Sequence, residues 1–180
     1  MDGISVIIPS YNSASTIRYT LDALLNQPSQ KLREIIVVDS SDDKKTYFLL
    51  KKYSDKIHLV HLEHKTMPAV ARNLGAKKAS GNTLAFIDAD ALPAEDWIEK
   101  ILQARSEGSR VGGGALLVPD FQRHNRLSLC QYFLEFNEFM ETGDARQKKF
   151  VPSCNLFCEK NLFQTVGGFP ELRAAEDVLF

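Results

Sequence analysis

Asp88-Ala89-Asp90 places two carboxylates one residue apart, directly after the apolar run Leu84-Ala85-Phe86-Ile87. Carboxylates so spaced at the end of a buried strand reach one cavity. Hard divalent ions such as Mg²⁺ and Mn²⁺ take oxygen ligands, commonly one or two carboxylates completed by substrate phosphates. Two other apolar runs end in a similar way. Ile4-Ser5-Val6-Ile7-Ile8 leads into Pro9-Ser10-Tyr11-Asn12, and Ile35-Ile36-Val37-Val38 leads into Asp39-Ser40-Ser41-Asp42-Asp43. Each polar segment by itself is ordinary turn and cap chemistry. Three of them at equivalent positions mark one polar edge, and hence a site.

The elements that must position these groups alternate in period. Short, nearly continuous apolar runs read as strands buried on both faces, and Ile57 to Leu62 reads as a further strand. Helical patterns lie between them. The first carries Ile17, Leu21, Leu24 and Leu25, with Ser13 or Ser15 as its cap. The next spans 44–53 with Phe48 and Leu49 inward, followed by 68–79 and then 95–105 on Trp97, Ile98, Ile101 and Leu102. Alternation of this kind predicts crossover units and a parallel sheet with helices on both faces. In such α/β sheets ligands bind beyond the carboxyl ends of the strands. After about Gly108 the rhythm changes. Residues 111–118 read as a glycine-rich strand and 127–140 as an aromatic-rich helix on Leu129, Phe133, Phe136 and Met140. A strand over 150–157 and a helix over 159–166 follow, the latter stopped by Gly167-Gly168. The expectation is one domain over residues 1–180 in two halves, 1–107 and 108–180.

The 180 residues suffice for one domain with a core. The 22 basic and 23 acidic residues, net charge −1, argue against a nucleic-acid partner, which needs a basic face. Small anionic ligands remain open, since a few local cations suffice for them. Cys130, Cys154 and Cys158 make no disulfide framework and read as buried or semi-buried thiols, in keeping with a reducing cytoplasm. No stretch approaches the roughly 18–20 apolar residues that span a bilayer. His58, His61 and His64 tempt a metal reading, but a strand turns the middle one away from the others, so they read as strand-end residues without a catalytic role. Gly112-Gly113-Gly114 lacks the Gly-Lys-Ser/Thr of a phosphate loop; its backbone passes close to a sugar or to a neighbouring strand. Lys148-Lys149 reads as loop charge able to attract an anionic acceptor or a lipid headgroup.

Taken in order, Val6-Ile7-Ile8-Pro9-Ser10-Tyr11-Asn12, Ile36-Val37-Val38-Asp39-Ser40-Ser41-Asp42, Ala71-Arg72-Asn73 and Phe86-Ile87-Asp88-Ala89-Asp90 resemble glycosyltransferase family 2. So does the tail Gly167-Gly168-Phe169-Pro170-Glu171 followed by Glu176-Asp177. The resemblance implies a GT-A type, Rossmann-like fold, with a nucleotide-binding half followed by an acceptor-binding half that is truncated at the C-terminus. It implies an inverting, metal-dependent transfer from a nucleotide-diphosphate sugar, a UDP-sugar first of all, to a hydroxyl of a glycan or lipid-linked acceptor. It also implies site roles. Pro9 and Tyr11 lie along the base, which Tyr11 stacks on unless it merely closes the core. Asp39 accepts a hydrogen bond from the base, and Asp42 is a turn or cap residue. Arg72 faces the diphosphate, unless it is an exposed helix charge. Asp88 contacts the ribose or the metal, and Asp90 ligates Mn²⁺ or Mg²⁺. Asp177 is the general base and Glu176 orients it or touches the acceptor, unless the pair is a solvated loop. A sugar hydroxyl is a poor nucleophile until its proton is being taken, which is the chemical case for a base there. The sequence reads Asp-Ser-Ser-Asp where Asp-Gly-Ser-Thr-Asp is common in the family, which changes the turn and not the carboxylate. The location implied is cytoplasmic, with the inner face of a membrane open to it through other regions.

Competing readings differ at the first strand. A sugar nucleotidyltransferase wants a glycine-rich basic loop after it, and a receiver domain wants an acidic pair there; this chain has Pro9-Ser10-Tyr11-Asn12. A non-catalytic nucleotide- or sugar-binding relative would keep the same edge.

Overall fold

In the computed structural model, residues 3–120, 123–141, 143 and 145–171 are described. Among them, six strands form one sheet in the order β3-β2-β1-β4-β6-β5. The strands are β1 (Ile4–Ser10), β2 (Leu32–Asp39), β3 (His58–His61), β4 (Thr83–Ile87), β5 (Val111–Gly113) and β6 (Asn155–Glu159). The first four are mutually parallel, whereas β6 runs antiparallel to both β4 and β5. Helices α1 (Ile17–Leu25), α2 (Lys44–Lys51), α3 (Pro68–Lys78), α4 (Trp97–Ser106), α5 (Arg126–Phe136) and α6 (Lys160–Thr165) complete the order. This is the mostly parallel α/β architecture expected of a GT-A type fold.

Side-chain alternation along β1 divides the core. Ile4, Val6 and Ile8 face a cluster with Ile17, Leu21 and Leu24 of α1, Leu50 of α2, and Trp97, Ile98 and Ile101 of α4. Ile7 faces the other side with Ile36, Val38 and Phe86, covered by Ala69, Ala71 and Ala76 of α3 and by Phe163 and Phe169. Helix α3 is alanine-rich because it lies close to the sheet.

Several local expectations are corrected. Phe48 is exposed; Leu50 is the side chain of α2 that the core takes, with Leu49 packed at its margin. Neither Ser13 nor Ser15 caps α1 by its side chain; Thr16 is the N-cap and the Ile17 amide donates to the Ser13 carbonyl. The strand from Val111 ends at Gly113, and the strand expected over 150–157 forms later, at Asn155–Glu159, where it pairs with β4. Helix α5 ends at Phe136, with a 3-10 turn over Asn137–Phe139, so Met140 is not on it. No residue of α5 is fully buried, and Phe133 is exposed. Cys130 is exposed instead of buried, whereas burial pushes the Cys158 thiol up to about 11, which keeps it inert. Gly112 and Gly113 do mark a close approach to a neighbouring strand: a Cβ at Gly113 would strike the Asn155 carbonyl oxygen. The glycine stop holds too, with Gly167 at φ +87° and Gly168 at φ +77°. Among the described residues no helix is long and apolar enough to cross a membrane.

Gly75 sets the spacing between α3 and the sheet. A Cβ there would lie 2.5 Å from Ile7 Cγ2, in the middle of a core residue. Alanine normally stabilises a helix interior by about 1 kcal/mol relative to glycine. Overpacking a core costs roughly 1–3 kcal/mol, so the sign reverses. Gly75→Ala is expected to lower stability by up to about 2 kcal/mol in urea unfolding.

Candidate functional site

The carboxyl ends of β1, β2 and β4 open onto a cleft of about 400 Å³. Its wall includes Pro9 to Ser13, Ser40, Arg72 and the turn Asp88-Ala89-Asp90. Five of the sequence-predicted residues are therefore brought together here: Pro9, Tyr11, Arg72, Asp88 and Asp90. Asp39 lies beneath them, fully buried and outside the cleft lining. Glu176 and Asp177 lie outside the described residues.

Asp39 is held by a row of partners that strand register creates. Ser10 pairs with Asp39 across β1 and β2, and Asp39 pairs with His61 across β2 and β3. Neighbours in one register row point to the same face. The Ser10 hydroxyl donates to Asp39 Oδ1 at 2.8 Å, and the Ser41 hydroxyl donates to the same oxygen at 2.5 Å. His61 Nδ1 meets Oδ2 at 2.9 Å, and its ring packs on Tyr47 at 4.6 Å. An ionised carboxylate only accepts, so the proton in that contact belongs to Nδ1. Three donors leave one of the roughly four lone-pair sites of a carboxylate for a further partner. His61 is thus a strand-end residue, as expected, but one that orients Asp39.

The loop over the cleft is fastened by Asp42. Its carboxylate accepts from the Tyr11 hydroxyl at 3.0 Å and from the Asn12 amide at 2.7 Å. Asp43, and not Asp42, caps α2, accepting from the Thr46 amide. Asn12 adopts the left-handed φ of 50°, which asparagine tolerates, and its backbone N–H donates to the Ser41 hydroxyl. Lys65 Nζ lies 4.2 Å from the Tyr11 ring centroid, adding a cation–π contact. The Asp42 carboxyl is held below its ordinary value by the Asn12 amide first and the Tyr11 hydroxyl second. The Tyr11 hydroxyl is pushed up, first by its bond to Asp42.

Arg72 is buried, so it is not a helix-surface charge, and its Nη2 donates to Asp88 Oδ1 at 2.7 Å. Asp88 is half-exposed and Asp90 exposed at the cleft wall. Their turn is tied to α1, where the buried Thr20 hydroxyl donates to the Ala89 carbonyl at 3.2 Å. Among the described residues no three His, Cys, Asp or Glu side chains gather as a metal cage. Two carboxylates on an open wall fit a hard cation that draws its other ligands from substrate oxygens. Asp88 keeps its second oxygen for that purpose.

Ser10 and Ser41 enter the sequence reading only as part of the polar edge, His61 only as a strand-end residue, and Thr20 not at all; none is given a part in holding the site. Ser10, Ser41 and His61 are signalled only by position at or beside a strand end, and Thr20, on α1, by nothing; strand register shows that Ser10 and His61 flank Asp39.

Two measurements check this geometry. Asp39→Asn turns an acceptor into a partial donor among three donors, and is expected to lower stability by about 1–3 kcal/mol in urea unfolding. In the clasp, a lowered carboxyl value contributes stability above the ordinary 3.8, lost as pH falls through the folded value. The raised phenol contributes below the ordinary 10.0, lost as pH rises through the folded value. Asp42→Asn is therefore expected to bring the Tyr11 titration back down toward 10.0, read by NMR of the ring.

The "Glycosyltransferase AglE" of Haloferax volcanii is 28% identical over 172 residues, covering 93% of this chain and 56% of that protein. The "Putative teichuronic acid biosynthesis glycosyltransferase TuaG" of Bacillus subtilis is 38% identical over 109 residues, 59% of this chain and 43% of that protein. The chain thus spans about half the length of these relatives. Among solved structures, S. aureus TarS 1–349 superposes with TM-score 0.74 at 24% identity, covering 99% of this chain and 53% of that one. A mannosyltransferase of Pyrobaculum calidifontis, in complex with GDP-Man and Mn²⁺, also gives 0.74 at 24% identity, over 97% of this chain and 49% of that one. At that identity the likeness is one of fold. The family model for glycosyl transferase family 2 matches residues 5–166, and the chain belongs to that family.

Proposed function

We propose that the chain carries the donor site of a metal-dependent inverting glycosyltransferase, which moves a sugar from a UDP-sugar to a hydroxyl of a glycan or lipid-linked acceptor. The observation that carries the reading is the single cleft shared by Tyr11, Arg72, Asp88 and Asp90, with Asp39 buried under its floor. Structures of S. aureus TarS with UDP and with UDP-GlcNAc, and of the Pyrobaculum calidifontis enzyme with GDP-Man, support a nucleotide sugar as the ligand class.

Each residue has work that its chemistry suits. The Tyr11 ring offers a face to the base, and its bond to Asp42 fixes the ring in place. Asp39 offers its remaining lone pair to a ring N–H of the base, a contact that needs the loop above it to admit the ring edge. Arg72 faces the diphosphate, with the planar donors that phosphate oxygens accept. Asp88 and Asp90 would hold Mn²⁺ or Mg²⁺. The cation, when bound, supplies positive charge to the leaving nucleoside diphosphate. Asp177 takes the proton of the acceptor hydroxyl as general base, and Glu176 orients it. Attack from the face opposite the leaving group inverts the anomeric centre without a covalent enzyme intermediate. On this reading the transfer would take place in the cytoplasm, at the inner face of a membrane when the acceptor is lipid-linked.

The test is calorimetric titration of UDP, with Mn²⁺ and with EDTA, into the wild type and Asp90→Ala. Metal-dependent binding to the wild type, weakened at least tenfold in the variant (about 1.4 kcal/mol), is the expected outcome. Tighter binding of GDP than of UDP would overturn the uridine assignment, and no binding of any nucleoside diphosphate would overturn the donor site.

A further inference from the structure

The segment that begins with α1 is tied to the chain leaving β4 at two places. The Thr20 hydroxyl donates to the Ala89 carbonyl at 3.2 Å, across 69 residues of sequence. Just past the end of α1, the Gln27 side chain donates to the Ala94 carbonyl at 2.8 Å and accepts the Ile98 amide at 3.1 Å. The first contact falls between the two cleft carboxylates. The second lies beyond both of them, where α4 begins.

Thr20 is fully buried on the face of α1 that carries Ile17, Leu21 and Leu24. A threonine inside a helix commonly returns its hydroxyl to a carbonyl of the preceding turn. Here the hydroxyl leaves its own helix for the Ala89 carbonyl, and what it holds is one peptide plane. The place of the turn is fixed by other means: Ala89 is buried in the core between α1 and α4, and the Ala91 amide donates to the Asp88 carbonyl at 3.2 Å. A peptide unit is rigid, so a carbonyl held at Ala89 sets the direction in which Asp90 leaves the chain. Asp88 is held through its side chain by Arg72. Among the described residues no hydrogen bond or ion pair holds the Asp90 carboxylate, so its aim follows from its backbone.

We infer that Thr20 is a positioning residue for cation binding: by fixing the Ala89 carbonyl it sets the separation and aim of the Asp88 and Asp90 carboxylates. The inference rests on the reading of that pair as holding Mn²⁺ or Mg²⁺. Mg²⁺ demands near-ideal geometry of its ligands, and losing a group that orients metal ligands from outside the ligand set typically costs roughly 10- to 100-fold in metal affinity.

The experiment compares wild type, Thr20→Val, Thr20→Ser and Gln27→Leu. It reads Mn²⁺ affinity from the EPR signal of the unbound ion, with and without UDP, UDP affinity by calorimetry in Mn²⁺ and in EDTA, and stability by urea unfolding. In Thr20→Val, Mn²⁺ affinity is expected to fall roughly tenfold, with UDP affinity in EDTA changed by less than about twofold. Thr20→Ser keeps the hydroxyl and loses a buried methyl, so it is expected to be less stable and to keep its Mn²⁺ affinity. Gln27→Leu removes the bonds beyond both carboxylates, and is likewise expected to lose stability without losing Mn²⁺ affinity. Should valine prevent folding, Thr20→Ser against Thr20→Ala makes the same comparison in a smaller side chain. Unchanged Mn²⁺ affinity in Thr20→Val would overturn the inference. So would an equal loss in Thr20→Ser or Gln27→Leu, which marks general loosening of the fold, or an equal loss of UDP affinity in Mn²⁺ and in EDTA. A wild type that takes up no Mn²⁺, with or without UDP, removes the cation reading itself, and this role with it.

Discussion

The central strand β1 is hydrogen-bonded on both sides to parallel neighbours and buried on both faces. A parallel pair cannot be joined by a hairpin, so each strand must be followed by a crossover helix before the next begins. All the turns that leave the strands therefore gather at one edge. Polar groups placed there meet each other without any further device, which is why three separate sequence segments build one cleft.

Burial at that edge also dictates the polar network under it. A carboxylate as deep as Asp39 must be fully partnered. The register supplies Ser10 from one side and His61 from the other, and Ser41 closes over the same oxygen. The floor of the cleft is thus rigid and acceptor-rich. The loop above it is held by exposed groups, Tyr11 and Asn12 on Asp42, which water competes for.

Helix α3 joins the two parts of the chain. Its small residues let it sit close on the sheet, Gly75 closest of all. That proximity brings Arg72 to Asp88 and Asn73 to Phe169. The strand β6, arriving from the second half, pairs antiparallel to β4 and delivers α6 and the Gly167-Gly168 turn to the same helix. Both halves thus share one sheet and one packing surface.

The sequence by itself determined the parallel strands, the helices between them and the polar edge: two-sided burial writes continuous apolar runs in β1, β2 and β4, the edge strand β3, with no buried residue, shows only as a short run broken by His58 and His61, and crossover helices write a 3.6-residue period. It also marked five of the cleft residues, since strand ends are visible as places where apolar runs stop. It could not determine the second half as well. There the strands are short, glycine takes the place of apolar residues, and antiparallel pairing to β4 depends on a partner some 70 residues earlier. Nor could it tell which face of α2 turns inward, since Phe48 and Leu50 are equally apolar and only packing against β1 and β2 chooses between them. Which polar residues meet was decided by tertiary structure: the row Ser10, Asp39, His61 exists only in one register, and the contact of Asn73 with Phe169 only once α6 has docked. Hydrophobic period is a local property of the chain, whereas register and docking are settled by contacts between segments that the chain order does not reveal.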